Sequence, residues 1–109
     1  MVFNNTDWVW QVREDILEPE REIVDPHHHL WPSEEMGYQV PDLLADLTSG
    51  HNVVQTVFME CGAAYRKDGP DYLKPIGETV FVTESAAEMK AKGGPYIAAL
   101  VAHADLRLA

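Results

Sequence analysis

Three short runs of strand-forming residues alternate with segments of helical periodicity, and this alternation constrains the fold more than any other feature. The runs occupy residues 22–30, 52–60 and 96–106. The middle run, "NVVQTVFME", is β-branched and aromatic, which is typical of a buried strand. Strands that alternate with helices imply right-handed crossovers and a parallel sheet. We therefore expect an α/β chain with three parallel strands.

Three helices complete the predicted order. Residues 40–48 repeat apolar side chains at helical spacing, with Pro41 in the first turn and Gly50 after the end. A second helix is predicted over residues 78–91, where "KAKGGP" marks its end. A leading helix is predicted over residues 7–17, with Asp7 as N-cap and Pro19 beyond its end. The predicted order is helix, strand, helix, strand, helix, strand.

Composition excludes some classes of function. The 109 residues carry a net charge of −10, which disfavours nucleic-acid binding because such binding draws on basic patches. We find no apolar run long enough for a membrane span and no secretory signal in "MVFNNTDWVWQVRED". One cysteine excludes an internal disulfide. We therefore expect a cytoplasmic protein with neither nucleic-acid nor membrane partners.

The segment "IVDPHHHLW", residues 23–31, carries the candidate chemistry. Side chains alternate across a strand, so Asp25, His27 and His29 are expected on one face and His28 on the other. Imidazoles two residues apart can converge on one ion at about 2.0–2.1 Å. Asp25 would orient a histidine or meet backbone donors. Two histidines alone do not hold a catalytic metal, so a chance cluster stays open at this point.

The motif resembles the first-strand signature of the amidohydrolase-related (amidohydrolase 2) family, Asp-x-His-x-His. The likeness continues through "DLLADLTSGHNVVQTVFMECGAAYR", "LKPIGETVFV" and "LVAHADLRLA". It implies a TIM-type (β/α)8 barrel, of which this chain would supply the N-terminal part, about three strands of eight. On this interpretation residues 1–109 are a partial amidohydrolase-related domain, incomplete at the C-terminus and inactive alone.

The resemblance also implies a chemistry. Relatives hydrolyse lactones, amides and other bonds at a carbonyl carbon, so the parent is expected to hydrolyse a small-molecule substrate at the carbonyl centre of a lactone, ester or amide. Metal-using members bind a divalent ion, commonly zinc, and His27 and His29 match the ligand positions; His28 matches none. One branch hydrolyses lactones without metal, so a metal-free mechanism stays open. The alternatives are a decarboxylase on the same scaffold and a small non-catalytic α/β module.

Further residues at the predicted strand ends are candidates for the site. Glu60 is a candidate catalytic carboxylate, and Cys61 is a nucleophile or a packed apolar residue. Arg66, in the loop after the second strand, and Trp31 are candidates for substrate binding. Two more residues share a face at the end of the predicted third strand and would line the site or serve packing and capping: His103 and Asp105.

Overall fold

The fold is built on three short strands and is described here from a computed structural model for residues 5–108. Helix α1 is a single turn, and a 3-10 helix precedes the longest helix. The elements in chain order are α1 (Thr6–Val9), β1 (Glu22–His28), α2 (Val40–Leu47), β2 (Asn52–Met59), the 3-10 helix (Asp71–Leu73), α3 (Ile76–Ala91) and β3 (Tyr96–Val101).

The three strands form one parallel sheet in the order β1-β2-β3. The carboxyl ends of all three strands therefore meet at one edge, which we call the carboxyl edge. The apolar core is closed by helices α2 and α3, and its buried members are Leu30, Val40, Leu43, Leu47, Phe58, Val82 and Met89. The core thus lies beside the strand ends that carry the candidate site.

Local sequence explains both longer helices. In α2 the buried residues recur at helical spacing, and the Asp42 carboxylate accepts a hydrogen bond from the backbone N–H of Gln39 at 3.0 Å. Helix α3 ends where Gly93 adopts a φ of 71°, a left-handed conformation that favours glycine. The N–H of Gly94 then donates to the carbonyl of Met89 at 3.2 Å and closes the helix end.

The structure corrects the predicted fold class. The described residues form a small α/β fold with an open sheet of three strands, so β1 and β3 are both edge strands. A (β/α)8 barrel requires eight strands that close on one another, and the prediction of its N-terminal part is wrong. The predicted order of elements is also wrong. A 3-10 helix, Asp71–Leu73, stands between β2 and α3, and the long leading helix is absent from the described chain.

The leading helix fails because most of its apolar residues stay exposed. Helix α1 ends at Val9, whereas the prediction ran over residues 7–17. Trp8 is 73 % exposed, Val12 71 % and Leu17 91 %. An isolated helix of this length is marginal in water without a packed face. Among the described residues no helix is both long and apolar enough to cross a membrane.

Candidate functional site

Two histidine rings converge at the end of β1. The Nε2 atoms of His27 and His29 lie 3.3 Å apart, and the rings meet edge to face with centroids 4.9 Å apart. Two ligand atoms at about 2.05 Å from a tetrahedral zinc ion are about 3.3 Å apart. The spacing therefore suits either a hydrogen bond between the rings or one shared ion.

The neighbouring strand orients the His29 ring. Its Nδ1 lies 2.8 Å from the carbonyl oxygen of Met59, the last residue of β2. A carbonyl only accepts, so His29 Nδ1–H is the donor. In the neutral ring the lone pair then belongs to Nε2, the atom that faces His27. The Trp31 ring lies beside His29 at a centroid distance of 5.3 Å and shields one side of the pair.

An irregularity in β1 sets the direction of these rings. From Asp25 to His28 the strand advances three residues while β2 advances two, from Thr56 to Phe58. Pro26 lies in this bulge and has no N–H for the ladder. The bulge interrupts the strict alternation on which the predicted shared face of Asp25, His27 and His29 rested. Asp25 acts here through the backbone, since its Oδ1 accepts a hydrogen bond from the N–H of His27 at 3.0 Å.

His28 lies on the opposite, packed side of the strand. The side chain is buried, its Nε2 is 3.0 Å from Thr56 Oγ1, and its ring meets Phe58 edge to face. Burial lowers the pKa of His28 below its ordinary value of 6.5 because the charged form loses its hydration. His28 therefore packs as a neutral core residue, whereas the rings on either side of it face each other.

The pair supplies two donors for a divalent ion, and the described residues do not supply a complete set. No group of three or more His, Cys, Asp or Glu side chains in residues 5–108 is arranged to hold a metal. A catalytic zinc site has three protein ligands and an open position. The donor chemistry and spacing of His27 and His29 thus fit part of a zinc site, as two of its ligands.

A second pairing joins the ends of β2 and β3. His103 Nδ1 lies 3.0 Å from Glu60 Oε2, and both side chains are more than two-fifths exposed. The backbone N–H of Glu60 donates to the carbonyl of Val101 at 3.0 Å and is the last link between these strands. Glu60, the candidate catalytic carboxylate, is therefore engaged with His103.

The remaining candidates lie in the loop after β2 or just beyond β3. Arg66 has an exposed side chain, and its backbone N–H donates to the Lys74 carbonyl at 3.0 Å. Burial and the nearby Glu78 carboxylate raise the pKa of the half-buried Cys61 thiol, which makes it a poor nucleophile. Asp105 forms an ion pair with Arg107 at 2.9 Å.

Sequence reasoning missed Glu78, a buried carboxylate in the first turn of α3. Its Oε2 accepts hydrogen bonds from the backbone N–H groups of Cys61 at 3.2 Å and Ala63 at 2.6 Å. These two hydrogen bonds hold the loop after β2 against the start of α3, next to the carboxyl edge. The signal in the sequence was an acidic residue in a helical first turn, which usually indicates only a favourable dipole contact.

Comparisons with known proteins complete the description of the site. No family model matches the chain, and no match was found among curated proteins or solved structures.

Proposed function

We propose that this protein binds a divalent ion, zinc, through His27 and His29 and takes part in hydrolysis at a carbonyl centre of a lactone, ester or amide. The observation that carries the proposal is the 3.3 Å separation of the two Nε2 atoms, which equals the spacing of two ligands on a tetrahedral ion. The resemblance of "IVDPHHHLW" to the amidohydrolase-related motif adds the reaction class.

The surroundings of the pair support this use. The bond from His29 Nδ1–H to the Met59 carbonyl leaves Nε2 as the ligand atom. The His27 side chain is exposed to solvent, so a small molecule can reach the ring pair. A zinc ion held there would act as a Lewis acid on a carbonyl oxygen and lower the pKa of water. Trp31 would bound the space on the side of His29.

A specific observation favours a second candidate function. The described residues contain no third ligand beside the histidine pair. With two protein ligands the chain would hold zinc weakly and catalyse nothing, as expected of a small α/β binding module.

One pair of measurements tests both candidates. Zinc binding to the full chain is followed by calorimetry, and turnover of δ-valerolactone and p-nitrophenyl acetate is followed with and without chelator. We expect His27→Ala and His29→Ala each to weaken zinc binding at least tenfold and, where the wild-type chain shows turnover, to abolish it. His51→Ala is the matched control, because His51 is an exposed histidine before β2, away from the carboxyl edge.

The outcomes separate the alternatives. Zinc binding that depends on the pair, with turnover lost on chelation, supports the hydrolase. Zinc binding without turnover supports the binding module. Turnover that survives chelation and still requires His27 and His29 identifies a metal-free route. If the two histidine variants behave like His51→Ala in both assays, the proposal is wrong.

A further inference from the structure

A separate hollow lies at the carboxyl edge, between the loop after β2 and the residues that follow β3. Its volume is about 400 Å³, which is within the range of small-molecule sites, and its walls are mostly apolar. It is lined by Tyr65, Tyr72, Pro75, His103 and Leu108, together with the carboxylates Asp71 and Asp105. None of them belongs to the histidine pair of β1.

The polar feature of the hollow is an oriented imidazole. His103 lines the hollow while its Nδ1 lies 3.0 Å from Glu60 Oε2. A carboxylate accepts, so Nδ1–H is the donor and Nε2 is left for a second partner. In the neutral ring Nε2 accepts a hydrogen bond, and in the protonated ring it donates one. A hydroxyl group serves in both cases, because it is a donor and an acceptor.

The charges around the hollow are already paired. Asp71 lies 2.7 Å from Lys74 Nζ, Asp105 lies 2.9 Å from Arg107 Nε, and Glu60 is bonded to His103. Neither lysine nor arginine is among the described residues that line the hollow. The described lining therefore offers an anion no lysine or arginine and offers a cation no carboxylate without a partner. An uncharged ligand suits it best.

We propose that this hollow binds a small uncharged compound that carries a hydroxyl group on an apolar body. The body packs against the rings of Tyr65 and Tyr72 and against Pro75 and Leu108, and the hydroxyl group bonds to His103 Nε2. Glu60 is a positioning residue that fixes the imidazole ring. This inference stands apart from the proposed hydrolase, since it uses neither His27 nor His29.

The test titrates phenol and cyclohexanol into the full chain and follows backbone amide and histidine ring signals by NMR. We expect saturable shifts at Tyr65, Tyr72 and His103, with a dissociation constant on the order of 1 mM for ligands of this size. Phenol above cyclohexanol in affinity would assign the site to aromatic alcohols, and the reverse order to aliphatic ones. Anisole, which lacks the hydroxyl proton, and benzoate, which is charged, are each expected to bind at least fivefold more weakly.

Substitutions test the proposed binding site independently. His103→Leu is expected to weaken phenol binding at least fivefold and to remove its preference over anisole, and Glu60→Leu is expected to give a smaller loss of the same kind. His51→Leu is the control and leaves binding unchanged, because His51 precedes β2 and lies away from the carboxyl edge. The inference is overturned if phenol and anisole bind equally well to the wild-type chain, if the shifts map elsewhere, or if a folded His103→Leu variant binds phenol as tightly as the wild type.

Discussion

Replacing Glu78 by alanine tests whether one buried carboxylate holds the loop after β2 in place. Glu78 is 3 % exposed, and its Oε2 accepts hydrogen bonds from the N–H groups of Cys61 and Ala63. Alanine removes the acceptor and leaves both donors without it. The loop between Cys61 and the 3-10 helix should then lose its fixed position against α3.

The expected loss of free energy of unfolding follows from the two N–H donors. A buried donor left without a partner costs about 1–3 kcal/mol. Ala63 is buried and should cost the larger amount, whereas Cys61 is half-buried and water reaches it more easily. Alanine recovers a few tenths of a kcal/mol in helix propensity. We therefore expect Glu78→Ala to lower the free energy of unfolding by about 3 kcal/mol. Glu78→Gln keeps an acceptor oxygen and should lose about 1 kcal/mol.

Urea unfolding followed by circular dichroism measures these differences. Glu88→Ala is the matched control, because Glu88 is exposed on the same helix and its Oε1 is 3.9 Å from Lys92 Nζ. An exposed pair of this kind is worth less than about 1 kcal/mol. A loss below 1 kcal/mol for Glu78→Ala, or equal losses for Glu78→Ala and Glu88→Ala, would refute the reasoning.

Three further predictions concern other parts of the fold. Gly77→Ala should lower the free energy of unfolding by about 2 kcal/mol or more. The added Cβ would overlap the carbonyl oxygen of Ala64 and lie 2.7 Å from the backbone nitrogen of Arg66. An unchanged urea midpoint would contradict this prediction. Cys61 should react with iodoacetamide at pH 7.5 at least tenfold more slowly in the folded chain than in urea, because its thiol pKa is raised; equal rates would count against the buried geometry. In chelator-treated protein, the free energy of unfolding should fall as the pH drops below about 6.5, because the unfolded chain protonates His28 while the folded chain, in which the pKa of His28 is lowered, does not. His28→Phe should flatten this part of the plot of urea midpoint against pH. An unaltered slope would rule out His28 as the source of the pH dependence.

Local pattern was enough to place the strands and the two longer helices. The predicted strand at residues 52–60 is observed as Asn52–Met59, and the helix predicted at residues 40–48 is observed as Val40–Leu47. Both segments bury an apolar face, so periodicity and packing agree. The third strand ends at Val101, although the pattern extended to residue 106. Its partner β2 ends at Met59, opposite Val101, and propensity alone does not maintain an extended segment.

The sequence by itself determined which residues are apolar, which carry imidazole, thiol or carboxylate groups and which histidine of the triplet differs from its neighbours. Alternation predicted His28 opposite His27 and His29, and the rings separate in this way although the bulge at Pro26 interrupts the alternation that includes Asp25. The open sheet, the bulge at Pro26 and the single-turn leading helix were decided by tertiary structure.

The site also depended on partners distant in sequence. His29 is oriented by the carbonyl of Met59, 30 residues away, and Glu60 meets His103 across two strand ends. No local pattern encodes such pairs, because they arise from strand register and from where the sheet stops. Glu78 is buried only because the loop after β2 folds over the start of α3 and presents two N–H groups to it. Side-chain chemistry can therefore be read along the chain, whereas the partner of each group is set by which elements the core brings together.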